Sequence, residues 1–317
     1  MMKKEILVSV VIPTFNRKNM LVRCVDSVLA SSYKTLEIII ADDASTDGTK
    51  DVITKKFGKF KNVRYFRNNK ELLLSATINK ALRISKGEYI FILDDDNAVD
   101  KKCITELVSS FNKYKEAGIV GPLALYYSKR DTIMHAGVVR SRFMRRAIYP
   151  FANEKWKGQI KEGQEVEDFA NAFMFKRELL SKVGMWDLLV PFMGEDGDFE
   201  ARVRKVGYKI IINPKAIVYH DVPYDPKTTY FVRVNKMRLY HAMHSKILYV
   251  YRYDKPIQKI TFTLSIPIYL GFYVFMILKD KSSLSKKIEY FNSLIKGTTN
   301  GFLDAFNQRS SIEWPTK

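Results

Sequence analysis

The apolar run Tyr89-Ile90-Phe91-Ile92-Leu93 stops abruptly at Asp94-Asp95-Asp96-Asn97. A stretch of this length reads as a buried strand, and carboxylates just past its carboxyl end stand where open α/β sheets bind ligands. Three adjacent carboxylates repel unless a cation joins them, and a hard divalent ion carrying phosphate oxygens would do so. The pattern recurs along the chain. Val10-Val11-Ile12-Pro13-Thr14-Phe15-Asn16-Arg17 ends a first apolar run in polar groups, and Asp42-Asp43 follows a second. Phe192-Met193-Gly194-Glu195-Asp196-Gly197-Asp198-Phe199 opens a helix with carboxylates, and Val218-Tyr219-His220-Asp221 closes a late strand on a histidine. Singly, each has a plain explanation, since helix dipoles favour acids at helix starts and turns collect aspartate. In this order and at these strand ends they point to one site.

The elements that must position these groups alternate. Ile6–Ile12 is a β-branched run stopped by Pro13, and Met20, Leu21, Cys24, Val25, Val28 and Leu29 repeat at helical spacing. Leu36–Ala41 predicts a second strand, and the polar loop after it opens a short helix through Val52, Ile53 and Phe57. Strands follow at Val63–Phe66, Tyr89–Leu93 and Gly118–Leu123, with helices at Ser75–Ser85 and Cys103–Tyr114. This alternation predicts an α/β fold, a mostly parallel Rossmann-like sheet with helices on both faces. From about 125 to 168 periodicity fades around Arg140, Arg142, Arg145 and Arg146. Phe169–Lys176, Tyr208–Asn213 and Ala216–Tyr219 then read as strands, and Arg177–Val183 and Asp198–Val206 as helices.

The last third changes character. Ile260 to Leu278 contains nineteen uncharged residues, long enough to cross a bilayer. Pro267 sits inside the run, and Lys255, Lys259, Lys279, Lys281, Lys286 and Lys287 flank it on both sides. Positive charge on both flanks suits an interfacial or re-entrant element better than a single traverse. Ile288, Phe291, Leu294, Ile295, Phe302, Leu303 and Phe306 mark amphipathic helix on either side of Gly297 and Gly301. The expected division is a catalytic domain over 1–224, with donor and acceptor halves meeting near 124, and a membrane-associated helical region over 225–317.

Pro13–Arg17, Asp42-Asp43-Ala44-Ser45-Thr46-Asp47-Gly48-Thr49, the aspartate triplet and Gly194–Phe199 resemble family 2 glycosyltransferases of the glycosyltransferase A fold, over residues 6 to 222. Within that family the chain is similar to enzymes that build surface polysaccharides and lipid-linked glycans, many with a membrane-binding C-terminal tail. The resemblance implies that Pro13, Thr14, Asn16, Arg17, Asp42, Asp43, Asn79, Asp94 and Asp95 line the nucleotide-sugar donor pocket. It implies that Asp94, Asp96 and His220 hold manganese or magnesium, Asp96 as the direct ligand. Asp196 matches the catalytic base, with Glu195 beside it. One carboxylate acting as base, without a second as nucleophile, implies single displacement with inversion. Arg145, Arg146, Trp186 and Asp187 are expected to face the glycan or lipid-linked acceptor, at the cytoplasmic face of the membrane. Two departures from the pattern stand out: Asn68-Asn69-Lys70-Glu71-Leu72-Leu73-Leu74 lacks the glycine usual there, and Ile78 precedes Asn79 where arginine is common.

Composition narrows the alternatives. The chain carries 53 basic against 34 acidic residues, a net +19, which favours anionic partners. No nucleic-acid-binding module accompanies that charge, and stacked acidic strand ends would repel phosphate chains in the absence of metal. A sugar-nucleotide nucleotidyltransferase would be expected to carry a glycine-rich basic loop after the first strand, where this chain has Pro-Thr-Phe-Asn-Arg. Cys24 and Cys103 lie in apolar helical patterns without metal-ligand spacing and imply a reducing compartment. The N-terminus runs into a strand without the apolar core of a signal peptide.

Overall fold

The computed structural model describes residues 5–226 and 234–315; the N-terminal reading rests partly on residues 1–4, which lie outside the described residues. The first half contains β1 (Val8–Thr14), α1 (Lys18–Leu29), β2 (Leu36–Asp42), α2 (Thr49–Phe57), β3 (Val63–Arg67), α3 (Leu74–Ile84), β4 (Tyr89–Leu93), β5 (Asn97–Val99) and α4 (Cys103–Lys113). Next come β6 (Ala117–Tyr126), β7 (Lys129–His135), β8 (Val139–Arg140), β9 (Ala147–Ile148), β10 (Ala172–Lys176), α5 (Leu179–Val183), α6 (Glu195–Lys205) and β11 (Lys209–His220). Three long helices finish the chain: α7 (Lys236–Tyr253), α8 (Pro256–Lys279) and α9 (Leu284–Phe306).

One sheet runs β3-β2-β1-β4-β10-β6-β11-β5, with β7 also paired to β6. β1 lies between β2 and β4, parallel to both, and every one of its residues is buried. Burial on both faces is why these strands are continuously apolar rather than alternating. Helices α1, α2 and α4 pack one face around Leu21, Val25, Ile53 and Phe111. Helices α3, α5 and α6 pack the other around Ile78, Leu180, Trp186 and Phe199. The sheet is mostly parallel as expected, but β10 is antiparallel to β4 and β6, β7 to β6, and β5 to β11.

Three local differences bear on the site. The two strands expected over 208–219 are one strand, β11, with a register irregularity between Asn213 and Ile217. The three-residue β5 is too short to leave a periodic signal. Helix α6 starts at Glu195 rather than Asp198, because Met193 (φ 59) and Gly194 (φ 106) turn the chain there. Glycine accepts the left-handed backbone that other residues resist.

In the last third, α7 falls within the stretch expected to be helical, although the sequence reading did not delimit it. Leu239, Met243, Ile247 and Val250 of α7 form an apolar cluster with Phe262, Ile266 and Tyr269 of α8, Leu294 of α9 and Ala201 of α6. Gly297 and Gly301 lie within a single α9. A Cβ at Gly297 would stand 2.2 Å from Tyr240 O, and one at Gly301 would stand 3.0 Å from His244 Cα. Those glycines let α9 lie directly on α7. The region is keyed into the sheet-bearing part: Arg252 Nη1 lies 2.9 Å from Asp187 Oδ2 and 3.0 Å from Asp198 Oδ1, and Met185 N donates to Glu313 O at 2.7 Å.

Candidate active site

Strand register assembles the mouth of the site. β1 and β4 pair from Val8↔Tyr89 to Val11↔Ile92, so the same register carried beyond Leu93 sets Thr14 opposite Asp95. Thr14 Oγ1 donates to Asp95 Oδ2 at 2.6 Å. Arg17, just ahead of α1, places Nη1 3.0 Å from Asp95 Oδ1 and 2.8 Å from Asp96 Oδ2. On the other side β11 pairs with β5, His220 opposite Asn97. That ladder brings His220 Nε2 to 3.2 Å from Asp96 Oδ1, and Asn171 Nδ2 meets His220 Nδ1 at 3.0 Å.

Five carboxylates share this mouth, and their titration reflects it. Burial, reinforced by Asp96 and Asp196, pushes Asp94 well above the usual carboxylate range. Burial raises Asp95 to about 6 even though Arg17 opposes it. For Asp96 burial is outweighed by His220 and Arg17, which hold it below its ordinary value. Burial, aided by Asp94, lifts Glu195 to about 7. Burial and then Glu195 drive Asp196 well up, against a hydrogen bond from Trp186. Burial is the main cause in each raised group, and the mutual repulsion that adds to it is what an added cation would relieve.

Asp196 stands in the first turn of α6, partly exposed, whereas Glu195 is buried. Trp186 Nε1 donates to Asp196 Oδ1 at 3.1 Å, and the Trp186 ring stacks on Phe199 at 4.3 Å with 8° between planes. The aromatic stack therefore fixes the direction of the donor. Glu195 Oε2 has no hydrogen-bond partner among the described residues. Beneath the turn, Arg140 pairs with Asp168, and a Cβ at Gly197 would lie 3.1 Å from Arg140 Nη2. Asp168 and the buried Glu200, which accepts from Phe169 N at 2.7 Å, escaped the sequence reading, and Arg140, noted there only as part of a basic, irregular segment, pairs inward with Asp168. The strand-to-helix pattern holds no signal for contacts between such distant residues.

Several expected donor-pocket residues are engaged within the protein. Asp42 accepts from Ser45 N at 2.8 Å and from the Tyr65 hydroxyl. Asp43 accepts from Leu72 N and Leu73 N, each at 2.8 Å, from Asn68 Nδ2 at 2.9 Å and from Thr77 Oγ1 at 3.0 Å. These bonds explain the missing glycine: Leu73 itself takes φ 67, an uncommon backbone for a bulky residue, with both nearby amides tied to Asp43. Asn16 (φ 54) bonds across to the loop after β2, accepting from Thr46 N at 2.8 Å. Pro13 is buried in β1. Asn79 is taken up elsewhere, its amide bridging Trp186 O at 2.9 Å and Glu313 Oε2 at 2.8 Å.

Of the four residues expected to face an acceptor, only Arg146 lies at the surface. Arg145 is buried against Asp254 at 2.6 Å and Glu167 at 3.0 Å. Trp186 is wholly buried in the aromatic stack. Asp187, also buried, accepts from Arg252 and from Ser311 N at 2.8 Å. Inward ion pairs and packing consume all three, which a local reading of basic and aromatic residues does not anticipate.

The donor groups suit a hard divalent cation in part. Asp96 and His220 are close enough to share an ion whose other ligands would be diphosphate and water oxygens. Among the described residues no three of His, Cys, Asp and Glu converge as a metal-binding group, so Asp94 is not placed as a third protein ligand.

The sheet order, the strand-end carboxylates and the carboxylate-opened helix define an α/β protein of the glycosyltransferase A fold class. Residues 9–184 match the family model for glycosyl transferase family 2, and the chain belongs to that family. Its sequence is 34% identical over 128 residues to UDP-Glc:alpha-D-GlcNAc-diphosphoundecaprenol beta-1,3-glucosyltransferase WfaP of Escherichia coli, covering 40% of this chain and 49% of that protein. The chain spans less than half the length of the first curated relatives it matches. The crystal structure of S. aureus TarS 1-349 in complex with UDP-GlcNAc superposes with a TM-score of 0.62 at 16% identity, covering 94% of this chain and 81% of that one. GalNAc-T7 with UDP, GalNAc and Mn2+ gives 0.60 at 18% identity, covering 77% and 51%.

Proposed function

We propose that this chain is an inverting glycosyltransferase that moves a sugar from a nucleoside diphosphate sugar to a hydroxyl of a lipid-linked or glycan acceptor. The observation that carries the reading is Asp196, a partly exposed carboxylate at the start of α6, aimed by the Trp186 indole and within electrostatic reach of Asp94. WfaP, by its name, takes a UDP-sugar and a diphosphoundecaprenol-linked acceptor, and TarS was crystallised with UDP-GlcNAc. Both support the donor and acceptor classes.

In this mechanism Thr14, Arg17 and Asp95 form one side of the donor site, with Arg17 as a positive group beside the leaving diphosphate. A manganese or magnesium ion on Asp96 and His220 would supply Lewis-acid stabilisation of that diphosphate; the Mn2+ of GalNAc-T7 supports this. Asp196 accepts the proton of the attacking hydroxyl as the new bond forms. Its raised proton affinity suits that role, provided it is ionised when the acceptor arrives. Trp186 holds the carboxylate in orientation, and alignment of hydroxyl and anomeric carbon contributes much of the remaining barrier reduction.

Helix α8 is long and apolar enough to cross a membrane, yet one of its sides is used within the protein. Phe262, Ser265, Ile266, Tyr269 and Ile277 are buried, while Ile257, Ile260, Leu264, Ile268, Phe272, Phe275 and Leu278 form an exposed row. We read α8 as lying in the plane of the cytoplasmic leaflet with that row in lipid. The transferase reading is tested by Asp196→Asn, which should abolish transfer while leaving donor affinity nearly intact. Substantial turnover in that variant would remove Asp196 from the base role.

A further inference from the structure

Arg140, Arg146 and Lys246 gather between the Asp196 turn and α8. Lys246, on α7, sets Nζ 4.6 Å from the centroid of the Tyr269 ring on α8. The loop carrying Arg146 is seated on the same helix: Tyr269 donates its hydroxyl to Met144 O at 2.8 Å, and Thr261 Oγ1 donates to Phe143 O at 3.0 Å. Arg140 stacks its guanidinium 3.9 Å over Tyr249 and pairs with Asp168. Among the described residues Lys246 and Arg146 have no carboxylate within ion-pair distance. Burial, followed by the charges of Arg140 and Arg146, lowers the Lys246 ammonium to about 8. Arg140 has its counterion in Asp168, but the like charges of Lys246 and Arg146 beside it do not, and that favours an anion against them.

The surroundings say which anion. Toward the sheet, Arg140 lies against Gly197, and a Cβ at Gly194 would stand 3.4 Å from Ser245 Cβ, the neighbour of Lys246. The cluster is therefore adjacent to the α6 turn that carries Asp196. Toward the outside it meets α8, whose opposite side is the exposed apolar row. A molecule with a sugar hydroxyl at one end, a diphosphate in the middle and a hydrocarbon chain at the other would span that order of surfaces.

We propose that Arg140, Arg146 and Lys246 form the diphosphate subsite of a polyprenyl-diphosphate-linked acceptor, a proposal that rests on the glycosyltransferase reading. Arg140 is a fixed, Asp168-anchored wall, while Lys246 and Arg146 supply the uncompensated charge.

The test uses the full chain and farnesyl diphosphate as a soluble probe, with chelator present so that no metal can hold the diphosphate at Asp96 and His220. Titration calorimetry should show binding to the wild type and at least about a tenfold weaker affinity in both Lys246→Gln and Arg146→Gln, as expected for losing one charge-assisted contact. Lys246→Arg should retain binding, and unchanged melting temperatures exclude misfolding. Equal affinity in wild type and both Gln variants overturns the proposal. So does a loss confined to phosphatidylglycerol vesicles, which would assign the cluster to the bilayer surface. The transferase reading is scored separately on the wild type, by nucleoside diphosphate release from a panel of nucleotide sugars. A chain that releases none, yet loses farnesyl diphosphate affinity in Lys246→Gln, keeps the subsite and loses that reading.

Discussion

Trp186→Phe isolates one hydrogen bond of the proposed base. The variant keeps an aromatic ring against Phe199 but deletes the indole N–H that lies 3.1 Å from Asp196 Oδ1. Burial raises the proton affinity of Asp196, and the indole bond opposes that rise. Hydrogen bonds to charged groups contribute about 1.5–3 kcal/mol, and partial exposure of Asp196 argues for the lower end. At about 1.4 kcal/mol per pH unit, losing the bond moves Asp196 upward by about one pH unit. The sign follows from the role: a base works only when ionised, so activity is present above its titration and lost as pH falls through it. The acid limb of kcat/KM should therefore shift about one unit toward higher pH, with roughly a tenfold loss on that limb and recovery above it. The assay is the initial rate of nucleoside diphosphate release with acceptor present, measured across that limb. A loss by one constant factor at every pH, with the limb unmoved, would refute the assignment and leave Trp186 a packing residue.

Two other outcomes test the metal and the membrane. Chelation and dialysis should abolish transfer, with manganese or magnesium restoring it, and His220→Ala should raise the metal concentration for half-maximal rate at least about tenfold; full activity after chelation contradicts the Asp96–His220 assignment. Leu264→Glu with Ile268→Glu should reduce sedimentation with lipid vesicles by well over about tenfold, since burying each such side chain contributes about 1.5–3 kcal/mol. Both side chains are exposed, at 75% and 62%, so the melting temperature of the free protein should hold; unaltered vesicle binding would place the apolar row against something other than lipid.

Much of the strand-and-helix order follows from local pattern, because strands buried on both faces must be apolar throughout and must end in polar turns. Tyr89–Leu93 is a strand with those same bounds, and Asp94–Asp96 follow directly at its carboxyl end as expected. The α6 boundary was less legible, as it depends on the positive φ of Met193 and Gly194. α7 was legible only as part of a helical last third, because its partners on α6, α8 and α9 are set by packing.

Residue types and their order along the chain thus determined which acids stand at the ends of which strands. The tertiary structure decided which of them meet. His220 reaches Asp96 through the antiparallel pairing of β11 with β5, a three-residue strand without a periodic signature. Trp186 turns inward to Asp196 because its ring is stacked on Phe199, while Arg145, Asp187 and Asn79 are spent on partners distant in sequence. Local periodicity reports which face a residue belongs to, but a side chain's partner is set by the packing of segments far apart in the chain. Only the folded molecule specifies that packing.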